Sequence, residues 1–480
     1  MMMRRLLYVF CILAVLGDTL YSYVQHYNEP LDGDMGESVL PLDYIEPLYH
    51  DPFGVKMLTG GEPHAAPNRY FSHRLMYLTY RTLPFALQKV TDPIHSLYHT
   101  NAICKTLMQL SFVLLLSLIL CGRCSFKRLD FAFTCLFFCA MMQTCGFSHS
   151  IGLITPSITY SFFYALPLIF LIFYLLPFIF KEFYGKRLIR NRIAEALYSL
   201  LFLLLSCFSG AINPAVSLVA VLTLLIRYFH DYRAANGRLA HALRKMPRHY
   251  LRFLLPLGTL SLYALFLGSF NTMWSDGLPL SERYALLPKG FLQLFTANNG
   301  GFGLLFALTL INTLIIRSIR TEQAAKVRNM LHWILVFSLI YILLLPMGGY
   351  RPYRPHLIRF DTALPVSCLF ICYFVRSTVF LLKQPFGKRR AGMAYALWTL
   401  VVLSVYFLYD TPRPYRNDPE MAAMREIQAS PLDTVLLTGR PTGIVSWAGP
   451  TSPEASETAG RLLHLWNVTD REKRFYFPQE

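Results

Sequence analysis

The feature that most constrains this chain is a series of apolar blocks, each about as long as a helix that crosses a bilayer. Hydrophobic residues make up 54% of the 480 residues, and a spanning helix needs about 20 consecutive apolar residues. The pattern predicts an all-α polytopic membrane protein rather than a soluble enzyme. We predict about eleven spans, at residues 5–25, 104–121, 129–147, 160–180, 193–209, 213–228, 253–270, 302–317, 331–348, 363–382 and 393–409.

Basic residues in the connecting segments predict the orientation, because Lys and Arg are retained on the cytoplasmic side of a membrane. Five connections that an eleven-span count puts on one side hold 23 Lys and Arg against three acidic residues. These connections are 122–128, 181–192, 227–252, 317–328 and 383–390. With Arg4 and Arg5 before the first span, the N-terminus is predicted to be cytoplasmic and the C-terminus to lie on the outer side.

The formal net charge of +17 is explained by these inner connections. There the basic side chains also meet anionic lipid headgroups. The predicted partner is therefore the lipid bilayer, and no nucleic acid is expected.

Four regions follow from this topology. Residues 1–25 form the first transmembrane helix, interpreted as an anchor rather than a cleaved signal peptide. Residues 26–103 form an outer loop with an acidic motif and a predicted surface helix over 68–89, and residues 104–409 hold spans two to eleven. Residues 410–480 are predicted to form a small α+β cap, with helices over 418–429 and 453–465 and strands over 433–438 and 443–447.

The acidic motif lies directly after the first span, where Asp32, Asp34 and Glu37 occur in a glycine-interrupted turn. Carboxylates so placed can act as a general base on an acceptor hydroxyl, with Asp32 and Asp34 as the catalytic candidates. They can instead hold a divalent cation, Mg or Mn, against a phosphate, with Glu37 as a third ligand. The alternative is a solvated turn, because Asp-Gly is a common turn dipeptide.

Asp18 is a further candidate, because it is a carboxylate near the outer end of the first span. Ionisable residues within membrane spans are often functional. The alternative is an acid at a helix end that faces the headgroup region.

The second candidate cluster is the segment 348–359, which contains Arg351, Arg354 and Arg359 on the predicted outer side. Three guanidinium groups there go against the inside preference of basic residues, and guanidinium forks match phosphate oxygens. Tyr350 and His356 are secondary candidates. The alternative interpretation is that these arginines bind lipid headgroups or pair with the outer acids for folding alone.

An odd set of spans, acids directly after the first span and an outer C-terminal segment together resemble the GT-C fold of integral-membrane glycosyltransferases. The strings LDGDMGES, HDPFG, PNRYFSH and GGYRPYRP are similar to multi-pass inner-membrane proteins of Gram-negative bacteria. The GT-C resemblance implies a carboxylate base or metal ligand in the first outer loop, matched here by Asp32 and Asp34. It also implies a polyprenyl-phosphate-linked sugar as donor. The chain lacks the adjacent acidic pair of some members.

The resulting hypothesis is a membrane glycosyltransferase that works at the outer face of the inner membrane. Asp34 or Asp32 would accept the proton of a saccharide, lipid or protein acceptor, and the arginines would stabilise the leaving phosphate. Two alternatives remain open at this stage. One is a transporter or flippase of a lipid-linked saccharide, and the other is a non-catalytic envelope assembly protein.

Overall fold

A computed structural model of the protein describes residues 2–125, 127–142, 153–210, 212–236, 238–273, 277–296, 301–384, 389–409 and 416–478. The described chain is helical with two short strands. The helices are α1 (Met2–Tyr27), α2 (Met35–Val39), α3 (Glu46–His50), α4 (Val55–Leu58), α5 (Tyr70–Tyr80), α6 (Leu83–Leu87), α7 (Pro93–Cys121), α8 (Leu129–Met141), α9 (Ile158–Tyr184), α10 (Arg192–Cys207), α11 (Asn213–Asn236), α12 (Leu239–Arg244), α13 (Arg248–Gly268), α14 (Leu280–Thr296), α15 (Gly301–Arg317), α16 (Glu322–Leu344), α17 (Phe360–Leu382), α18 (Arg389–Tyr409), α19 (Asp418–Ala429) and α20 (Glu457–Leu465). The strands are β1 (Thr434–Leu436) and β2 (Arg474–Tyr476).

Eight helices in the described part of the chain are long and apolar enough to cross a membrane. A ninth crossing is counted if α14 and α15, which meet at 82°, form one bent span. The eight helices coincide with eight of the predicted spans, so the all-α polytopic architecture is confirmed. The other three predicted spans fall on α8, α10 and α15, which have 13, 16 and 17 residues. Residues 143–147 of the span predicted over 129–147 lie outside the described residues. The number of eleven therefore stays a prediction.

Local signals explain where several of these helices begin and end. Asp92 accepts a hydrogen bond from the backbone N–H of His95 at the start of α7, and Asn191 accepts two at the start of α10. Such caps satisfy N–H groups that have no partner within the helix. At the other end, Gly122 follows α7 with φ 64° and Gly185 follows α9 with φ 65°. This left-handed conformation favours glycine and ends both helices.

Helix α17 lies at the centre of the bundle. Its most apolar window is 89% buried within the protein, against 17% for α1. Helices α8, α15 and α16 pack around it. The N-terminus of α17 directly follows the arginine segment, so a deeply packed helix carries the loop on which the second candidate cluster lies.

The segment between α1 and α7 is compact. The predicted surface helix over 68–89 consists of two helices, α5 and α6, with a break at Arg81 and Thr82. Helix α5 buries Ser72, His73 and Met76 against the rest of the protein.

The C-terminal segment, residues 416–478, packs on this loop segment. Both predicted helices are present, as α19 and as α20 preceded by a short 3-10 turn. The strand predicted over 443–447 is wrong: this stretch is a loop, and β1 pairs in parallel with β2 instead. Trp466 is fully buried, and its indole N–H donates to the carbonyl of Tyr80 over 2.9 Å.

The side chain of Glu420 in α19 connects the C-terminal segment to the segment between α1 and α7. Its carboxylate accepts hydrogen bonds from the backbone N–H groups of Leu31 and Val445 and from the Tyr98 hydroxyl, each over 2.9 Å. Burial raises the pKa of Glu420 to about 7, although these three donors act in the opposite direction. One side chain thus joins the C-terminal segment, the acidic motif and α7.

Candidate functional site

Asp32 anchors the acidic motif to the start of α9. One carboxylate oxygen accepts from the Ser157 hydroxyl over 2.8 Å and from the Thr159 N–H over 2.9 Å. The other accepts from the Thr159 hydroxyl over 2.6 Å and from the Asp34 N–H over 3.1 Å. With four donors on a carboxylate that is only 4% exposed, Asp32 is a positioning residue rather than a base open to substrate.

The two glycines of the motif make room for the C-terminal segment. A Cβ atom on Gly33 would lie 2.6 Å from the Trp447 ring, and one on Gly36 would lie 2.6 Å from the Thr458 methyl group. Real Cβ atoms do not approach so closely, so the C-terminal segment can pack this tightly only against glycine. Because these glycines lie between the acids, the packing helps to determine the spacing of the acids.

Asp34 is the aspartate of the acidic motif whose carboxylate remains available to a substrate. Its Oδ1 accepts a hydrogen bond from the Trp447 indole N–H over 2.8 Å, whereas Oδ2 has no hydrogen-bond partner within the described ranges. Burial raises the pKa of Asp34 to about 6. Trp447 and Arg359 lower it, and the charges of Asp32 and Glu37 raise it. A carboxylate that titrates near neutral pH is suited to proton transfer.

Glu37 lies near Asp34 in α2. It accepts a hydrogen bond from Tyr44, and burial raises its pKa above the usual range. The positive charge of Arg69 acts on Glu37 and lowers its pKa in part. The acidic side of the site is therefore formed by Asp34 and Glu37, with Arg69 beside them.

The arginine side of the site is built on Asp361, the second residue of α17. The Arg359 fork donates to both carboxylate oxygens of Asp361, over 3.1 and 2.6 Å. Arg354 pairs with the same carboxylate over 2.9 Å and also donates to the Tyr164 hydroxyl. Burial alone lowers the pKa of Arg354, but Tyr164 and Asp361 more than compensate and raise it. Both guanidinium groups therefore remain charged.

Tyrosine rings position these two guanidinium groups. Arg359 lies 5.2 Å from the Tyr160 ring centroid, and Arg354 lies 5.5 Å from that of Tyr164. Tyr353 contacts both arginines, at 5.1 and 5.0 Å. Tyr160 directly precedes a π-helical turn in α9, Ser161–Ala165, and Tyr164 lies within it. Such a turn changes the direction of neighbouring side chains and often occurs at functional sites.

The acidic side and the arginine side meet at Tyr160. Its ring lies 6.1 Å from that of Trp447, which binds Asp34, and 5.2 Å from the guanidinium of Arg359. Arg359 is also close enough to act on the charge of Asp34. Segments more than 300 residues apart in the printed sequence thus contribute opposite charges to one site.

Arg69 and Arg351 extend the positive side. Burial lowers the pKa of Arg351, and the charges of Arg69 and Arg354 lower it further. Arg69 is half-buried, and its Nε has no hydrogen-bond partner in the described part of the chain. The name arginine cluster is used below for Arg69, Arg351, Arg354 and Arg359.

The two secondary candidates in this loop contribute through the backbone. Tyr350 accepts a hydrogen bond from Arg351 at its carbonyl, over 2.8 Å. The carbonyl of His356 faces Gly290 of α14, where a Cβ atom would lie only 2.3 Å away. Leu357 follows with φ 63°, a left-handed conformation that is unusual for leucine. The loop is therefore held in a specific shape against α14.

A narrow cavity with room for about one water molecule lies beneath the arginine cluster. Tyr164, Asp361 and Asn213 supply its polar atoms, and its remaining walls are apolar. The walls are Phe163, Leu168, Ile212, Val216, Leu364 and Pro365, from α9, α17 and the start of α11. The site thus borders apolar surface within the bundle.

Asp18 lies elsewhere in the bundle, buried beside Cys139 of α8. No group of three or more His, Cys, Asp or Glu side chains that could hold a metal ion is found in the described residues. Of the three proposed metal ligands, Asp32 already uses both oxygens, so Asp34 and Glu37 are the two that remain available.

Sequence reasoning found the two charged clusters but missed Trp447, Tyr160, Tyr164 and Asp361. The sequence pattern predicts a strand at Trp447, and the two tyrosines lie within an apolar span. The one usable signal was Asp361, an acid two residues after Arg359 at the start of a span. Comparison of the chain with family models, curated proteins and solved structures gives no match.

Proposed function

We propose that the protein is a membrane glycosyltransferase of GT-C type that uses a polyprenyl-phosphate-linked sugar. The observation that carries the proposal is the meeting of Asp34 and Arg359 at Tyr160. Sugar transfer from a lipid phosphate needs a base for the acceptor proton and positive charge for the leaving phosphate. Contacts through Trp447 and Tyr160 connect the two groups.

In the proposed reaction, the acceptor hydroxyl attacks the anomeric carbon of the donor sugar and gives its proton to Asp34 Oδ2. The bond between that carbon and the phosphate oxygen breaks, and its electron pair stays on the phosphate. Arg354 and Arg359 stabilise the added charge, as donors fixed in place before the reaction. Trp447 and Asp32 orient Asp34. In the alternative role of the motif, Asp34 and Glu37 would hold a Mg or Mn ion that supplies positive charge to the phosphate, and Asp34 Oδ2 would then be a metal ligand rather than the base.

With α14 and α15 counted as one bent span, the contacts also support eleven crossings, with the site at one end of the bundle. The Phe71 N–H donates to the carbonyl of Phe208 after α10, Asn68 donates to Ala264 near the end of α13, and Asp32 binds Thr159 at the start of α9. For these ends to meet, α8 and α10 must each return the chain across the bundle. The charge bias then favours the outer face of the membrane for the site, and in the bacterial inner membrane that the resemblance implies this is the periplasmic face.

The test is transfer by the purified protein from a lipid-linked sugar to an acceptor, for Asp34→Asn and the matched control Asp43→Asn. Asp43 is an exposed acid of the same loop segment. We expect Asp34→Asn to lower the rate of transfer by about 10²–10⁴-fold, since that is what general base catalysis contributes. Asp43→Asn should retain the rate.

Full transfer by Asp34→Asn would contradict the assignment. Movement of carrier lipid between the leaflets of reconstituted vesicles, without a new glycosidic bond, would support a transporter instead. Co-purification of a stoichiometric partner, with no effect of the aspartate changes on the surface glycan, would support an assembly protein.

A further inference from the structure

The arginines of the cluster differ in how closely a carboxylate pairs with them. Arg354 and Arg359 share one acid, Asp361. Arg69 has no carboxylate within 4.0 Å among the described residues, and Glu37 acts on it only from a greater distance. Buried donors normally have acceptors, so the arrangement indicates an anionic ligand that reaches Arg69 as well as Arg354 and Arg359.

Arg354 and Arg69 each keep one buried nitrogen without a partner among the described residues. Arg354 donates to the Tyr164 hydroxyl, yet its buried Nε has no hydrogen-bond partner in the parts of the chain described. The Nε of Arg69 is likewise buried and without a partner there, and Arg69 is close enough to Arg351 for the two positive charges to act on each other. Two buried guanidinium N–H groups of the arginine cluster are thus left for an external acceptor.

We propose that the site is built for a diphosphate linkage between sugar and lipid, rather than a monophosphate linkage. A sugar joined to a lipid through one phosphate carries one negative charge, and through two phosphates it carries two. A diphosphate would engage Arg354 and Arg359 with one phosphate and Arg69 with the other. The inference rests on the proposed function and specifies the donor of that same site.

A buried, uncharged histidine, His73, supports the role of Arg69. Burial and the charge of Arg69 lower the pKa of His73 to about 3. Its Nδ1 contacts the Ser38 hydroxyl at 3.0 Å, and its ring packs edge-on against Phe163. His73 therefore stays uncharged beside Arg69 at physiological pH and holds the α5 side of the site without competing for an anion.

The experiment measures binding of farnesyl monophosphate, farnesyl diphosphate and inorganic pyrophosphate to the full chain in detergent, by native mass spectrometry. We expect farnesyl diphosphate to bind at least about tenfold more tightly than the monophosphate, as one additional charged hydrogen-bond pair allows. Equal affinities would overturn the inference. Pyrophosphate should bind more weakly than farnesyl diphosphate, and equal binding of the two would overturn the lipid part.

Variants at Arg69, which precedes α5, and at Arg74 within α5 distinguish specific binding at this site from general attraction between opposite charges. Arg69→Gln should lose most of the preference for diphosphate. The matched control Arg74→Gln, whose arginine packs over Tyr77 instead, should keep it. If Arg69→Gln does not fold, Arg69→Lys retains the charge but loses the Nε donor, and it should reduce the preference. An unchanged preference in the folded Arg69 variant would overturn the proposal.

The glycosyltransferase proposal and the diphosphate inference would be contradicted by different results. Efficient transfer from a monophosphate-linked sugar, with no preference for diphosphate, would overturn the diphosphate inference and leave the glycosyltransferase in place. A diphosphate preference without transfer from any lipid-linked sugar would overturn the enzyme and leave the binding site.

Discussion

At the scale of single residues, the two aspartates of the motif have different environments although they are two positions apart. Asp32 is surrounded by donors from Ser157 and Thr159, whereas Asp34 retains an oxygen without a partner among the described residues. The sequence predicted that carboxylates occur here but had no means to separate their roles. The distinction depends on Ser157, Thr159 and Trp447, which are far away along the chain.

Proton transfer through Asp34 predicts a pH dependence. Its pKa of about 6 lies above that of an ordinary aspartate, so the base is protonated at low pH. The kcat/KM for transfer should rise with pH and level off above an apparent pKa of about 6. A profile that is flat between pH 5 and pH 7.5 would contradict the role of Asp34.

Trp447→Phe should shift this profile. The indole N–H lowers the pKa of Asp34 by its hydrogen bond, and phenylalanine removes that donor but keeps an aromatic ring. The apparent pKa should therefore move upward, and activity measured near pH 6 should fall more than activity measured at pH 8. The control is Trp398→Phe, which is exposed on α18 and should leave the profile unchanged.

At the scale of elements, hydropathy predicted the long spans well because each is one continuous apolar block. It was less informative for α8, α10 and α15, which are shorter than an ordinary span. The C-terminal segment shows the other limit. Helix α19 was predicted over its observed range, because helical periodicity is a local signal. Strand β2, at Arg474–Tyr476, was not predicted, because the pairing of a strand depends on a partner that is distant in the sequence.

Helix α14 packs through Gly290 against segment 348–359, which is called the arginine loop here. This contact predicts contrasting effects of two glycine substitutions. A Cβ atom at Gly290 would lie 2.3 Å from the carbonyl of His356, whereas one at Gly258 in α13 would have Val221 at 3.7 Å as its nearest neighbour. Gly290→Ala should destabilise the protein by about 1–3 kcal/mol through overpacking and reduce binding of farnesyl diphosphate. Gly258→Ala should be neutral or stabilising by up to about 1 kcal/mol. Thermal unfolding in detergent measures both, and equal effects would contradict the packing account.

At the scale of the whole molecule, the site depends on three parts of the chain that must dock together. The loop segment supplies Asp34, the helix bundle supplies the arginines of segment 348–359 together with Tyr160 and Asp361, and the C-terminal segment supplies Trp447. The charge patterns predicted two of these parts, because isolated acids and arginines are visible in an apolar sequence. The third part could not be predicted, since a single tryptophan carries no signal of what it covers.

Docking of the C-terminal segment should weaken as pH rises. The pKa of Glu420 in the folded protein is about 7, above the ordinary value of 4.5. Between these values the unfolded carboxyl has lost its proton while the folded one retains it, so stability falls with increasing pH. Glu420→Gln should flatten the decrease in melting temperature over pH 5 to 7.5. Glu457→Gln, an exposed acid paired with Arg474, should retain it.

The central claim, that Asp34 and the arginine loop share one site, is tested most directly by cross-linking. In a chain without its native cysteines, Asp34→Cys and Arg359→Cys are introduced together and treated in intact membranes with a short bifunctional thiol reagent. A cross-link within one chain is the result that this account predicts. Labelling of the two cysteines from opposite sides of the membrane, with no cross-link, would contradict it.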